Sequence, residues 1–538
     1  MSEPANPVHM TSGPSTRWTT VNFAEAIQGV QKPLGWSIWD LSMETAVRAA
    51  FGAIGVLARR EVPPPPSPDD RISGIFYGRV AGNVDVFHML GDRMPGSSGD
   101  TLEQKLFGKE PGPDGPAKKP LTATKRYPIV AVQMPRAARA AAKRIRPMRA
   151  QYRVWWQHSV LDQPPQDLEQ ARALYREGAE RFMRVGVHHA VATLLGNALL
   201  EQLELLATRA TGEPSLAMEL ATGYGSMEET ELIEDLWSVG RDRLEVDDVI
   251  RRHGYHGPDE GDLSNRTWRE DPAPLQSILR GYERSDLENP REREQRQVQR
   301  RIEAEQRVLA GLSAPARPGA KLTMKLAATY IPLREQGKAA FLHALDAARC
   351  GARAGGRALA EADLLEDPED VFFLTGDEFV GGFDPAVIAE RKERHERYKT
   401  LALPPEFTGP PEPIPVATEA PAPSVATNGN GRGELRGIGV VGEAVTGRAR
   451  VIHDPNEADL QPGDILVCVT TDPSWTPLFM LADALVIDTG GAMSHGAIVA
   501  RELGVTCVIN TVTGTRDIPD GATITVDGAS GLVTLGAG

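Results

Sequence analysis

The stretch LPPEFTGPPEPIPVATEAPAPSVATNGNGRGE, Leu403 to Glu434, most limits what this chain can fold into. Proline, glycine, alanine and threonine crowd out any helical or strand period there, so no regular element runs through it. A proline-rich segment rises about 3.1 Å per residue, and this one reads as a semi-extended linker. The patterns on its two sides differ. Before it lie long amphipathic runs such as DLEQARALYREGAERFMRVGVHHAVATLLGNALLEQLELLATRA and REQGKAAFLHALDAARCGARAGGRALAEAD, with apolar residues at helical spacing. After it come short β-rich segments, GRARVI, DILVCV, ALVIDT, TCVIN and TITVDGASGLVTL, the last with DGASG as a turn between strands. The expected fold is multidomain: a disordered tail (1–17), a mostly α-helical domain (18–402), the linker (403–434) and a small α/β domain (435–538).

At 538 residues the chain exceeds what one hydrophobic core holds. A net charge of -14 argues against a general nucleic-acid binder, which needs a basic footprint, and against acidic lipid surfaces. Cys350, Cys468 and Cys507 are scattered without metal-ligand spacing and read as reduced packing thiols of a cytoplasmic protein. No metal site is expected. The N-terminus has no basic segment followed by an apolar run, so it is no secretory signal. The longest apolar segment, Val185 to Leu200, is shorter than a bilayer span and reads as a core helix, with no membrane association. Two proline-rich breaks, Arg60 to Arg71 and Gly108 to Pro120, read as loops, and ISGIFYGRVAGNVDVF between them as including a short strand. The charged run Glu283 to Gln306 reads as an exposed helix, and Arg136, Arg139, Lys143, Arg144, Arg146 and Arg149 as the solvated cationic side of another.

The α/β segment holds one histidine in an unusual place. ALVIDT is a strand, GGAM a tight turn, SHGAIVARELG a helix stopped by Gly504, and VTCVIN the next strand. His495 then falls in the first helical turn. Unpaired backbone N–H groups and the helix dipole there favour an anion and disfavour a protonated imidazole. A phosphoryl group on His495 would sit where negative charge is stabilised, with Gly491 and Gly496 keeping the approach open. A histidine that only caps or packs the turn is the plainer alternative.

The whole string TGGAMSHGAIVARELG resembles the phosphohistidine motif of the phosphoenolpyruvate-utilising enzymes, whose swivelling domain carries a phosphoryl group between two sites. The resemblance implies that His495 is the carrier, forming a phosphohistidine intermediate, and that Ser494 is its neighbouring hydroxyl. DGASGLV resembles the closing hairpin of that domain. Thr20 to Ser37, Gly254 to Pro272 and Leu333 to Phe379 resemble the substrate domain of rifampicin-phosphotransferase-type enzymes. One departure is GYHGPDEGDL where that family often reads GHRGPGEIDL, placing Tyr255 and His256 at altered positions and suggesting a different acceptor.

Arg334 and Lys338, four apart on an expected helix, share a face and can neutralise a transferring phosphoryl group. By the resemblance they take part in transfer; as plain residues they are ordinary surface charges. An acceptor hydroxyl needs a base, and His256 in the loop with Glu260 and Asp262 is the first candidate. Tyr255, Glu260, Asp262, His188 and His189 are candidate substrate contacts, although core packing is the plainer use of the two helical histidines. No ATP-grasp segment is expected before Trp18 and no phosphoenolpyruvate barrel after Gly538. The resemblance is therefore to split systems of the phenylphosphate synthase type, in which a separate ATP-grasp subunit holds ATP and Mg2+. The expected activity is transfer to a hydroxyl of a small organic acceptor, a phenol or alkylphenol first and a rifamycin-like antibiotic second. A non-catalytic phosphocarrier or regulatory binding protein is the rival.

Overall fold

A computed structural model of the chain describes all residues except 1–5, 22, 24–26, 108–120, 214–215, 225–227, 285–286, 417–432, 456–457, 462, 492–493 and 537–538. Among the described residues, seven helices of eight residues or more follow one another between Tyr127 and Glu361. They are α1 (Tyr127–Trp156), α2 (Leu168–Thr211), α3 (Glu228–Val239), α4 (Val246–His253), α5 (Ala273–Arg284), α6 (Pro290–Gly311) and α7 (Arg317–Glu361). The chain divides into two compact units: Met1–Ala192, Gly261–Ser264 and Gly337–Thr418 form the first, and Thr193–Glu260, Asn265–Gln336 and Glu419–Gly538 the second.

In the first unit, α2 and α7 pack backbone against backbone. A side chain at Gly178 would meet the Ala344 carbonyl at 2.7 Å, and one at Gly351 the Ala171 carbonyl at 2.7 Å. The small residues of CGARAGG permit that approach, and Leu34, Val185, Leu345, Phe372 and Phe379 fill the core around it. By length and composition α2 is the one helix among the described residues that could cross a membrane. The unit also holds an antiparallel sheet of β1 (Arg17–Thr19), β2 (Ser73–Phe76), β3 (Arg79–Asn83) and β4 (Glu406–Thr408), in the order β2-β3-β1-β4. ISGIFYGRVAGNVDVF thus supplies two strands. Tyr77 and Gly78 join them with φ of 50° and 73°, the positive pair that a two-residue hairpin with the native strand twist requires.

Two expectations are corrected by this sheet. The described part of the N-terminal tail is ordered: Val8 is buried, Met10 N–H donates to the Ile75 carbonyl at 2.8 Å, and Asn6 Nδ2 donates to the Tyr398 hydroxyl at 2.8 Å. The first part of the linker is also structured, because Glu406–Thr408 pairs with β1 and Ile414–Pro415 with Leu401–Ala402. Edge strands satisfy their backbone groups with any extended neighbour, and composition does not reveal that partner. The remainder of the linker, 417–432, and the loop 108–120 lie outside the described residues. On α1 the cationic side is solvent-facing as read, with Arg136, Arg139, Lys143, Arg144 and Arg146 exposed.

In the second unit lies the α/β segment, built on β5 (Glu434–Arg436), β6 (Ile438–Val441), β7 (Ala444–Val451), β8 (Asp464–Cys468), β9 (Ala484–Ile487), β10 (Thr506–Ile509), β11 (Thr523–Asp527) and β12 (Leu532–Leu535). They form one sheet in the order β5-β12-β11-β7-β8-β9-β10-β6, parallel from β7 to β10 and antiparallel outside. Every residue of β8, β9 and β10 is buried, which explains their unbroken apolar runs. Ile465, Val467, Val486 and Val508 face one core. Leu466, Cys468, Leu485 and Cys507 face the other, which also contains Leu232, Trp237, Leu275 and Leu279 of α3 and α5. The α/β segment therefore shares a core with helices far ahead of the linker, and packing does not draw its boundary where composition does. The run expected as an exposed helix is α6, mostly exposed but with Gln297, Ala304 and Val308 buried. All three cysteines are buried free thiols.

Candidate functional site

Around His495 the local chemistry follows from the sequence. After β9, Asp488 accepts hydrogen bonds from Thr511 Oγ1 at 2.8 Å and Thr515 N–H at 3.0 Å, tying the strand end to the following loop. Ser494 has extended φ and ψ of −65° and 160°, and its Oγ accepts from Ala497 N–H at 3.4 Å, a long but recognisable N-cap. Helix α8 (Thr476–Phe479) precedes this turn in the chain, and α9 (His495–Leu503) follows it, ending at Gly504 in the left-handed region. His495 is 7% exposed; its Nε2 lies 3.3 Å from Thr476 Oγ1 and its ring 6.3 Å from that of Phe479. Space beside Gly491 is open, as read from the sequence. Gly496 does something else: a side chain there would meet Ile487 Cδ1 at 2.5 Å and Thr471 Oγ1 at 2.8 Å, so this glycine lets α9 sit close on β9 rather than keeping a channel clear.

The loop carrying Thr476 was not singled out by sequence reasoning, and it holds a buried acid. Asp472 accepts Ser474 N–H at 2.9 Å and its hydroxyl, an Asx-turn that the DPS order signals, and Asp259 N–H at 2.9 Å. Burial first, then the neighbouring Glu260 and Asp259 carboxylates, push the Asp472 carboxyl up to about 7. Against it, His256 Nδ1 is bonded to Glu260 Oε1, and the His256 ring packs on Tyr255 at 4.2 Å and Trp268 at 5.6 Å. Tyr255, His256 and Glu260 are all buried. The structure thus brings His256, Glu260 and Tyr255 together as a supporting cluster for the α8 loop. A buried imidazole locked to its own carboxylate does not have the open geometry expected of a base that meets an acceptor.

A small cavity opens along the same helix. Ile498, Arg501 and Glu502 of α9 form one wall, and Leu200, Ile331 and Arg334 belong to the others. Ile498 and Glu502 follow His495 by three and seven residues, so the cavity runs about one to two turns up the His495 stripe, roughly 4.5–10.5 Å at 1.5 Å per residue. Burial lowers the Arg501 guanidinium to about 10, with Arg334 acting in the same direction. Glu502 accepts Gly223 N–H at 3.2 Å, and burial raises its carboxyl to about 7. Of the expected acceptor-site residues, only Arg334 lines this cavity, its Nε 3.5 Å from Glu335. Arg501 and Glu502 were missed because, in the sequence, they look like ordinary helix charges.

The remaining candidates sit in the first unit. Lys338 follows Arg334 by one turn on α7, as its spacing implies, and among the described residues it makes no ion pair. His189 packs its ring on Phe341 at 5.2 Å, and His188 lies 3.4 Å from Arg144; burial and then Arg144 lower the His188 imidazole. The Asp262 side chain accepts Ser264 N–H at 2.7 Å and its hydroxyl at 2.8 Å, a turn-forming use. Its carbonyl, with those of Leu263 and Ser264, is held by Arg349 and Arg353.

Residues 460–531 match the PEP-utilising enzyme mobile domain, and residues 171–335 the rifampicin phosphotransferase fourth domain. The chain carries the mobile domain of the PEP-utilising enzymes. It is 30% identical over 404 residues to a rifampicin phosphotransferase of Streptomyces sviceus, covering 71% of this chain and 43% of the relative. A Bacillus cereus rifampicin phosphotransferase is 26% identical over 67% of this chain and 42% of its own length. An uncharacterized phosphotransferase of Bacillus subtilis is 38% identical over 34% and 22%. The chain thus spans less than half the length of these relatives. The motif around His495 lies in the first match, and of the three segments read as substrate-domain-like only Gly254–Pro272 falls wholly within the second; the first match also contains Thr476 and Asp472.

Proposed function

We propose that this chain is a phosphotransferase subunit whose His495 carries a phosphoryl group to a hydroxyl of a small organic acceptor. The observation that carries the reading is the buried His495 at the capped N-terminus of α9, on the same helical stripe as an apolar-walled cavity edged by Arg334 and Arg501. At a helix N-terminus the backbone N–H groups favour a phosphoryl anion. In the transfer step, the acceptor oxygen bonds to phosphorus as the phosphorus–nitrogen bond to His495 breaks, and the hydroxyl proton ends on the imidazole. Arg334, on the cavity wall, faces the charge spread over the phosphoryl oxygens.

The proposal places ATP and Mg2+ on a separate ATP-grasp subunit that charges His495. A phenol or alkylphenol is the preferred acceptor, and a rifamycin-like hydroxyl the alternative, favoured by the names of the Streptomyces and Bacillus relatives. The test is acid-labile labelling of the purified chain with β-labelled or γ-labelled ATP, with and without an ATP-grasp partner. Label that needs the partner and disappears in His495→Ala supports the carrier role, and its loss to added phenols or rifamycins ranks the acceptors. No label with a partner shown to be active would overturn the reading in favour of a regulatory binding protein.

A further inference from the structure

The loop GYHGPDEG makes its most specific contact with the mobile domain through a carboxyl. Asp472 Oδ2 accepts Asp259 N–H at 2.9 Å, and its Oδ1 is taken by Ser474. Asp472 is 7% exposed and Glu260 6% exposed, so two acids are buried on opposite sides of one contact. Glu260 is bonded to His256, and Asp259 turns its own carboxylate to Asn265 Nδ2 at 3.2 Å. Four residues on from Asp472 α8 begins, and there Thr476 touches His495. Other contacts across the same surface are the Tyr282 hydroxyl to the Pro477 carbonyl at 3.1 Å, Gln297 Nε2 to the Arg501 carbonyl at 3.4 Å, and Gly223 N–H to the Glu502 carboxyl at 3.2 Å, a second acid that burial raises to about 7.

We infer that Asp472 and the loop Tyr255–Glu260 form a latch that holds the mobile domain docked on the helices of its own unit, and that its release is coupled to the loss of one proton. The inference rests on the carrier reading only for its purpose, since a carrier that visits two sites must leave one of them. Docked, the Asp472 carboxyl faces Glu260 and Asp259 from the loop, and Ser474, Thr476 and His495 belong to its own side. Undocked, it meets water and takes the ordinary carboxylate range. Two buried acids cannot both ionise cheaply, so the docked form keeps a proton that the undocked form gives up. The carboxyl sits at about 7 when docked, above its ordinary value of 3.8, so docking is strongest below the ordinary value, weakens as pH rises from there, and levels off once pH has passed about 7. One proton released over that range weakens docking about tenfold between pH 6 and pH 8.

The experiment is hydrogen exchange of the full chain, without nucleotide, from pH 5.5 to 8.5 with intrinsic exchange rates divided out, read on peptides spanning Tyr255–Thr267 and Thr471–Leu481. In the Glu502→Gln background, which removes the other acid that titrates near 7, protection of both segments is expected to fall together, about tenfold from pH 6 to pH 8. Asp472→Asn in that background keeps the acceptor oxygen without the titration, and its protection should stay flat. Glu260→Gln removes the neighbouring charge and should move the midpoint to lower pH. A flat profile in the Glu502→Gln background, a fall that persists when Asp472→Asn is added to it, or an unmoved midpoint when Glu260→Gln is added would each overturn the latch. His495→Ala should show the wild-type profile. Failure of His495 labelling with the profile intact removes the carrier reading and leaves the latch, whereas labelling with a flat profile does the reverse.

Discussion

Asp346→Ala is expected to cost the first unit about 3–5 kcal/mol, the range for removing one partner of a buried ion pair. Asp346 is fully buried and Arg349 is 2% exposed. The Asp346 carboxylate accepts Trp156 Nε1–H at 2.7 Å and Arg349 NH1 at 3.0 Å. The guanidinium also donates to the carbonyls of Asp262 at 2.9 Å and Leu263 at 3.2 Å, neutral acceptors that bring no charge of their own. Alanine therefore takes the Asp346 carboxylate away from a buried guanidinium and from a buried indole N–H. Asparagine keeps the shape and one acceptor, so Asp346→Asn should cost less, about 1–3 kcal/mol. Urea unfolding followed by tryptophan fluorescence reads the loss as a lower midpoint at unchanged slope, taken from the transition of this unit alone. The decisive variant is Asp346→Leu with Arg349→Met, whose loss should fall short of the sum of the two single losses by about 1–3 kcal/mol. Additive losses would show that the two side chains are not coupled and that the argument from the buried ion pair fails.

Gly496→Ala sets about 1 kcal/mol of helix propensity against an overpacking cost of about 1–3 kcal/mol from the contacts with Ile487 and Thr471. A lower melting temperature and slower labelling of His495 are expected, and a stabilised, fully active variant would contradict the packing role. Arg334→Ala should leave His495 labelling by a partner intact but slow the discharge of label to an acceptor at least tenfold in single-turnover kinetics; unchanged discharge would place the guanidinium outside the transfer site. Glu502 is raised by burial to about 7 from its ordinary value near 4.5, so the folded chain holds a proton that the unfolded chain has released, and this group's contribution to stability falls as pH rises through that interval. Glu502→Gln should make melting temperatures between pH 5 and pH 8 fall less steeply than in the wild type, and an equal slope would refute the assignment.

Much of the mobile domain was legible in advance because its signals are local. The runs ALVIDT and TCVIN are unbroken because both faces of β9 and β10 are covered, and the DGASG turn joins β11 to β12 as its composition implies. Ser494 and Gly504 mark the ends of α9 by capping and by left-handed φ, so His495 had to fall in a first turn. The spacing of Arg334 and Lys338 on α7 was likewise fixed by helical geometry. The N-terminal segment and the first part of the linker were misjudged for the opposite reason: their order depends on pairing Arg17 with Thr408, nearly four hundred residues away. Gly496 was given an open approach because a glycine in a sequence does not show which neighbour presses on it.

The sequence by itself determined the strand, turn and helix that present His495, since capping, turn chemistry and hydrophobic period act over a few residues and need no partner. Only the tertiary structure decided that Asp472 and Glu260 are buried together, that Thr476 meets His495, and that Arg501 and Glu502 wall a cavity with Arg334. Each of those relations joins residues separated by 19 to about 210 positions. Such contacts arise when packing removes water from around groups that look exposed and ordinary along the chain, and burial shifts their chemistry only once that packing is complete.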